Sequence, residues 1–517
     1  MKLVKSLLLS SAAGLIAVGG AQAADLPVKA KAVEYVKVCS LYGAGFYYIP
    51  GTDTCIKLGG YLRADVLANT NNVSGGNYSG VAGAQNRLTN GYMWRSRLDS
   101  TIDTRTATEY GVVRTYSELT FTWTTDSVAG NSTGTPAVGT GTTTYGGGAA
   151  VNGSSGLVAN GQLGVYMAFI QFAGFTMGRA VSAFSAPWTA YPGNNMDALV
   201  GGSNTVTGTN QFTYTAEFGG GVSAAISIQD QVQNFQAGIV NLTAGTAASY
   251  APTTANNTAG SMSPDIVGMV RIDQAWGLFQ ASAALHENHA GYYATDLAAT
   301  SGTEAAGHPQ DKWGWAGALA LSLKNIPTGP GDTINVQGVY TNGATRYNIQ
   351  ELSQGGNMAI YGTTGGVGGL QSVGFGFAPD SVYVNGQGQQ LVSTWGFRGA
   401  YTHNWDPYWN TSIYGAFAAV SYTGAAKNYI CTTAPFGKAI TGTCNPDYNI
   451  SQLGIITRWT PVKNLTFSAD LMYTILDQKN SGVITLPQQP GIGKAGGDYA
   501  LKDQNTLTLL LRAQRNW

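Results

Sequence analysis

Along most of this chain apolar and polar side chains alternate with period two, and the clearest run is Asn505 to Trp517, NTLTLLLRAQRNW. Leu507, Leu509, Leu511, Ala513 and Trp517 fall on one face, and Thr508, Arg512, Gln514 and Asn516 on the other, as in a strand with one apolar and one wet side. In IKLGGYLRADV, Ile56, Leu58, Leu62 and Val66 oppose Lys57, Tyr61, Arg63 and Asp65. WRSRLDSTIDTR sets Trp94, Leu98 and Ile102 against Arg95, Arg97, Asp99, Asp103 and Arg105. EYGVVRTYSELTFTW sets Val113, Leu119 and Phe121 against Arg114, Tyr116, Glu118 and Thr120. In WGWAGALALSLK, Trp313, Trp315, Leu319, Leu321 and Leu323 share the apolar face.

With Gly, Pro and Asn clusters as punctuation, the three strands from Ile56, Trp94 and Glu109 are followed by strands that begin near Val165, Phe175, Gln211, Val222, Asp265, Leu278, Lys312, Thr333, Leu391, Trp409, Asn449, Leu465 and Asn505, sixteen in all. Tight turns near Gly220, Trp276, Pro327, Asp406 and Lys463 alternate with long loops. Two segments, GVYMAFIQF and FTMGRAVSAF, alternate poorly, as strands covered by protein on both sides would; their faces stay unassigned. A sheet can cross hydrocarbon only when closed, because every backbone amide must be paired, and an antiparallel closed sheet with both ends on one side has an even strand number. The pattern therefore predicts an all-β protein, a sixteen-stranded antiparallel transmembrane β-barrel with short periplasmic turns and long outer loops. Trp405, Tyr408 and Trp409, around the Asp406 turn, fit an aromatic girdle.

Composition agrees. Only 10% of the 517 residues are charged, whereas 71 are Gly and 28 Tyr, too few charges for an ordinary water-facing surface. Lys+Arg and Asp+Glu both number 27, which argues against nucleic acid as a partner. After the first two dozen residues no apolar run is long enough for a membrane helix. Residues 1–23 read as a secretory signal peptide, with Lys2 and Lys5 ahead of an apolar stretch and Ala21-Gln22-Ala23 before the cut at Ala24. A membrane anchor is the alternative, but the apolar stretch is too short to span. Residues 24–55 then form a periplasmic N-terminal segment and 56–517 the barrel. In an exported chain the sequence-local pairing of Cys39 with Cys55 and Cys431 with Cys444 is the economical one, each loop gaining about 3 kcal/mol. No Cys-x-x-Cys spacing supports a metal site.

Candidate chemistry is sparse. His286 and His289 lie three apart, so on a strand they point to opposite faces and would not share one ion. No hydrolase elbow, dinucleotide fingerprint or phosphate loop occurs, so no cofactor and no enzyme activity is expected. The distinctive groups are basic residues on the polar face: Lys57, Arg63, Arg95, Arg97, Arg114, Arg398, Arg458 and Arg512, with Asp65, Asp99 and Glu118 among them. They either line a water-filled channel or satisfy carboxylates in a plugged interior. A barrel of this size is wide enough to leave a channel that wall side chains cannot fill.

The blocks CSLYGAGFYYIPGTDTCIKLGGYLRADV, TATEYGVVRTYSELTF, AFIQFAGFTMGR and LRAQRNW resemble the alphaproteobacterial porin family over essentially the whole mature chain. The resemblance implies a homotrimeric general diffusion porin of the Gram-negative outer membrane, a pore for ions and small hydrophilic solutes. It also implies that a third long loop folds into the barrel and narrows it; here that is FSAPWTAYPGNNMDALVGGSNT, about residues 184–205, with NNMD ending in Asp197 as the loop motif. Two departures stand out: the last residue is Trp517 where Phe is usual, and Asp197 is the loop's only acidic residue, against a strong acidic constriction wall. The final strand is expected to engage the barrel assembly machinery, and small outward residues such as Gly60, Ala64, Ser96, Ser100 and Ala513 to sit at the trimer interface. A substrate-selective channel, a plugged barrel acting as adhesin or scaffold, and a barrel-embedded hydrolase are the other readings. Arg63, Arg95, Arg97 and Arg114 come from consecutive strands about 4.8 Å apart and can form one basic patch. Partly neutralised by Asp65, Asp99 and Glu118, that patch shifts ion partitioning by only about twofold toward anions near 0.1 M salt.

Overall fold

The computed structural model describes residues 37–69, 80–83, 92–124, 157–158, 161–188, 199–203, 206, 208–232, 235–243, 257–293, 302–350, 358–364, 369–488 and 493–517. Residues 1–23, the tip of the third long loop and Asp197 lie outside them. The chain forms two compact units, Met1–Ile56 and Lys57–Trp517. In the first, the disulfide Cys39–Cys55 closes a small hairpin, with Tyr47 and Tyr48 paired to Ile56 and Cys55. Phe46 and the two sulfurs are buried there, and Tyr42 stands edge-on to Phe46.

The second unit is built on an eighteen-stranded sheet; setting aside the two-residue pieces Tyr47–Tyr48 and Leu157–Val158 leaves sixteen wall strands. They are β1 (Thr54–Asn69), β2 (Met93–Thr108), β3 (Gly111–Thr124), β4 (Gly161–Phe172), β5 (Phe175–Ala180), β6 (Thr209–Gly219), β7 (Val222–Gln229) and β8 (Asp265–Gln274). Then follow β9 (Gly277–Asn288), β10 (Lys312–Lys324), β11 (Thr333–Asn342), β12 (Ser393–Asn404), β13 (Trp409–Ser421), β14 (Tyr448–Val462), β15 (Leu465–Gln478) and β16 (Gln504–Asn516). Each pairs antiparallel with its neighbour in sequence, and β16 returns to β1 from Tyr61↔Asn516 to Asn69↔Thr508, closing the barrel. Closure leaves no edge, which is what allows such a sheet to stand in lipid.

The outer face is the apolar one read from the alternation. Leu62, Trp94, Ile226, Leu319, Phe397, Leu453 and Leu511 are exposed on it, while Asp65, Arg95, Ser227, Ser322, Arg398, Gln452 and Thr508 on the same strands are buried inside. Trp409, Trp459 and Phe467 stack in series beside the turns, with centroids 5.7 and 5.6 Å apart, and Trp405, Tyr408 and Trp517 are exposed near them, as a girdle requires.

The poor alternation of β4 has a local cause. The β3–β4 register runs Glu118↔Met167 and then Leu119↔Val165, so Tyr166 is an unpaired bulge residue. The extra residue exchanges the faces: Leu163 and Val165 are outward below it in sequence, Ile170 above it, and Tyr166 is buried. No cover by protein on both sides is needed to explain the pattern. β5 is simply too short, six residues, to show a period.

The loops at the far end from the turns are not merely external. Pieces of four of them, Ile440–Thr443, Ser481–Leu486, Gly497–Leu501, Gln371–Gly376, Met358–Thr364 and Gly80–Gly83, form a six-stranded sheet of their own. Its Ile360, Val373, Phe375, Ile484 and Leu501 share one buried core with inward residues of the wall, among them Leu67, Ala418, Ile450, Leu476 and Leu510. Burying such a side chain gains about 1.5–3 kcal/mol, so the loop sheet is held to the wall by apolar packing. Gly454 belongs to the same wall: a Cβ there would lie 2.2 Å from the Tyr414 ring, whose hydroxyl donates to Asp470 at 2.6 Å.

Cys431–Cys444 is formed and clips the loop between β13 and β14. Thr423 caps the short helix Gly424–Asn428, and Phe436 anchors the clipped segment in the core. Reduction should loosen this loop by about 3 kcal/mol while the barrel stays folded. Disulfide-linked peptide mapping, with proteolysis before and after reduction, checks both parts; cleavage inside the loop should follow reduction only.

At the opposite end, Asp332 is sealed in the β10–β11 turn. Burial pushes its carboxyl up, but hydrogen bonds from Thr328 Oγ1 (2.6 Å), the Asn404 N–H (2.9 Å), His403 Nδ1 (2.7 Å) and Tyr401 Oη (3.2 Å) outweigh this and hold it well below the usual range. A depressed carboxyl contributes stability above its unfolded pKa, about 3.9, and loses it as pH falls through the folded value. Asp332→Asn should therefore lower heat resistance at neutral pH, with the gap from the parent closing only in acid. Melting curves between neutral pH and strong acid read this directly.

Candidate functional site

Alternation places one residue in two on the inner face; on β2 those residues are mostly charged, and the neighbouring β16, β1 and β3 add further charged side chains among polar ones. Arg512 of β16 donates to Asp65 of β1 through Nε at 2.6 Å and Nη2 at 3.3 Å. Arg63 Nε donates to Gln514 Oε1 at 2.9 Å, and its guanidinium lies over the Tyr61 ring. On β2, Arg97 Nε donates to Thr122 Oγ1 at 3.0 Å and lies over Tyr166, which the bulge turns inward. Arg95 and Asp99 are buried beside it. Asp103 accepts from Arg114 and from Arg105, each guanidinium reaching 3.0 Å, and Arg114 Nη1 continues to Gln171. Tyr116 donates to Glu118 and stacks on Phe169. Across the seam, Arg458 of β14 donates to Asn410 at 3.5 Å.

Guanidiniums outnumber carboxylates on this wall, and many are crossed by hydrogen bonds to a neighbouring strand. Such bonds fix a planar fork in place, so the charge stays directed at the interior. Lys57 stands exposed at the start of the wall.

The described flanks of the third long loop meet the inner wall far from β5 and β6, where the loop starts and ends. Arg398 of β12 donates to the Leu199 and Ser203 carbonyls at 3.2 and 2.6 Å, Gln337 of β11 to the Gly201 carbonyl, and the Val200 N–H donates to Gln452 of β14. On the other flank, Gln280 of β9 reaches the Ser185 carbonyl at 3.1 Å and Ser182 donates to Gln229 of β7. Gly201 is needed as glycine: its φ is +88°, and a Cβ would meet the Phe397 carbonyl carbon at 2.6 Å.

The basic residues picked from the alternation thus fall into two groups. Arg63, Arg95, Arg97, Arg114 and Arg512 gather on adjoining strands with Asp65, Asp99 and Glu118, and Arg458 stands nearby. Arg398 also points inward, but its partners are the Leu199 and Ser203 carbonyls of the loop, which enclose it against the wall. Asp103 and Arg105, which alternation also places on the polar face of β2, join the cluster, and so does Tyr166, whose inward direction the bulge hides from periodicity. His286 and His289 have separate partners: His286 Nδ1 lies 2.8 Å from Asp265, and His289 Nδ1 lies 2.8 Å from Asp311. Glu287, His289 and Asp311 bring ligand atoms within 4.8 Å of one another, the one group of that kind among the described residues.

A closed sixteen-stranded antiparallel barrel with an apolar outer band and a charged interior defines the transmembrane β-barrel class of the outer membrane. Within it the chain belongs to the porin subfamily, whose sequence pattern matches residues 25–510. It is similar to porin Omp2b of Brucella abortus (strain 2308), 34% identical over 280 residues that cover 53% of this chain and 63% of that porin. Omp2b of Brucella melitensis biotype 1 matches to the same extent. The matched stretch therefore spans less than two thirds of the length of these relatives. Among solved structures, the outer membrane channel DcaP of Acinetobacter baumannii aligns with a TM-score of 0.53 at 12% identity, covering 91% of this chain and 99% of that one. That likeness concerns the fold alone.

Proposed function

We propose that this chain is an outer-membrane porin, a water-filled channel for passive diffusion of ions and small hydrophilic solutes, exported by residues 1–23. One observation carries the reading: the barrel is closed and lipid-facing outside, yet its inner wall from β16 to β3 carries a cluster of fixed charge, Arg512, Asp65, Arg63, Arg97, Asp103 and Arg114, beside the part that the apolar loop core covers. Lys57, Arg63, Asp65, Arg95, Arg97, Asp99, Arg114, Glu118, Arg458 and Arg512 line the path in this reading, and Asp197, which lies outside the described residues, is counted with them. Arg398 takes a different part, holding the loop. The bias toward anions is weak, since the carboxylates offset much of the basic charge. Assembly is as a homotrimer, with the small outward residues on β1, β2 and β16 in the interface.

A substrate-selective channel is the second reading, favoured by the apolar core that the loop sheet builds against the inner faces of β13 to β16 and β1. Swelling of liposomes that contain the full mature chain separates the two. A general porin admits uncharged sugars at rates that fall smoothly with size, a selective one admits a single solute with saturation, and no swelling contradicts both.

A further inference from the structure

Four side chains between the extracellular loops and the wall are buried together and lie outside the charged wall already described. His286 of β9 is 1% exposed, Asp265 of β8 0%, Asp380 1% and Tyr347 0%. His286 Nδ1 is 2.8 Å from Asp265 Oδ1, its Nε2 is 3.4 Å from Asp380 Oδ2, and Tyr347 donates to Asp265 Oδ2 at 2.6 Å. The ring thus lies between two buried carboxyl groups, hydrogen-bonded to one and within ion-pair distance of the other. Asp380 also accepts from the Thr345 N–H at 2.7 Å, from Thr345 Oγ1 at 3.1 Å and from the Ala237 N–H at 2.7 Å. One carboxylate thereby ties the β7–β8 and β11–β12 loops to β9.

The turn held in this way, Thr345–Tyr347, touches both flanks of the inward loop. The Tyr347 ring lies between Phe235, stacked at 4.3 Å, and Phe184 of the first flank, edge-on at 4.6 Å. The carbonyl of the next residue, Asn348, accepts from the Gly201 and Gly202 N–H groups of the second flank at 3.0 and 2.9 Å, and Gly202 forms a bridge with Ile349. Asn348 is tied back to the wall through Thr394 Oγ1 at 2.9 Å.

We propose that the Asp265–His286–Asp380 cluster is a latch that positions the inward loop, with Asp380 and Tyr347 as positioning residues that set the width of the path without facing it. The inference rests on the porin reading for its functional consequence but not for its geometry. Each buried bond to a charged group is strong, because losing one partner leaves the other desolvated and unpaired. Releasing the latch frees the Thr345–Ile349 segment, and with it both flanks of the loop, while the sixteen-stranded ladder stays intact.

The test uses the full mature chain and a single introduced thiol, Ser203→Cys, on the loop; both native cysteine pairs are already oxidised. Asp380→Asn and the milder Tyr347→Phe, which keeps the ring packing, are added separately. In each, labelling of the introduced loop thiol by a water-soluble maleimide should accelerate about tenfold, the factor expected from loss of one charged hydrogen bond. Labelling of a control thiol placed by Thr441→Cys, at an exposed position, should not change. In planar bilayers the same variants should show more frequent transitions among conductance sublevels, with the heat-shifted gel band of a folded barrel retained. Parent-like labelling and parent-like sublevels in folded Tyr347→Phe overturn the latch, whatever Asp380→Asn does to folding. A parent that carries no current overturns the porin reading instead, and the labelling rates still decide the latch.

Discussion

Replacing Arg398 by Met should enlarge and destabilise the open channel, giving a higher unitary conductance and a noisier current than the parent. The guanidinium donates to the Leu199 and Ser203 carbonyls and to Gln337 Oε1 at 3.2 Å, all in an enclosed site. Methionine fills most of the volume but strands two loop carbonyls, at about 1–3 kcal/mol for each buried group left unsatisfied. That is enough to shift the loop's bound population by about tenfold or more. Lysine should restore little, because a single ammonium cannot reach two carbonyls and an amide in the geometry of a planar fork. Single-channel recordings of the two variants check the claim. A conductance equal to the parent's in Arg398→Met would mean that the loop is held without this residue.

The second large effect is expected at the seam where the barrel closes. Asp65 is fully buried and Arg512 is 12% exposed, and their pair links the last strand to the first. Removing one member of a buried ion pair costs about 3–5 kcal/mol, since the remaining charge stays desolvated. Asp65→Asn should therefore speed heat-induced unfolding, followed by gel mobility, by about a hundredfold or more. Asp65→Leu with Arg512→Leu should recover most of the loss, because a well-packed apolar pair of similar volume is close to neutral. If the single substitution leaves the unfolding rate untouched, the seam does not depend on this pair.

The barrel was legible because a lipid-facing sheet obeys one rule along its whole length. Wherever Leu, Trp or Phe recurs at every second position between turn residues, as in β10, β14 and β16, the strand starts within a few residues of where alternation begins. The rule failed at β4 for a definite reason: a single extra residue, Tyr166, exchanges the faces midway, and periodicity has no means of registering an insertion in one strand against its partner. The charged wall was legible for the same reason as the barrel, since Arg63, Arg95, Arg97 and Arg114 lie on the polar side of well-alternating strands.

What did not come through was the interior architecture beyond the wall. The long loops carry no period, so the six-stranded loop sheet and its core gave no signal of their own. A trace was present in the strands, where Leu67, Ile450, Leu476 and Leu510 occupy inward positions that an open aqueous lumen would leave polar; read together, they point to something apolar packed inside. The same blindness hid the part played by Arg398. Alternation says that it faces inward, but only its contacts with Leu199 and Ser203 show that it faces a loop. Spacing speaks only against His286 sharing an ion with His289; its two carboxylate partners, one on β8 and one on a distant loop, meet it only in the folded chain.

The central claim is an aqueous path beside a wall whose guanidiniums outnumber its carboxylates, and current through the purified mature chain in a planar bilayer under a KCl gradient tests it most directly. The account predicts discrete open steps and a reversal potential that favours chloride by about twofold near 0.1 M salt, more as salt is lowered. Absence of steps, or a strong preference for potassium that survives Asp197→Asn, would contradict it.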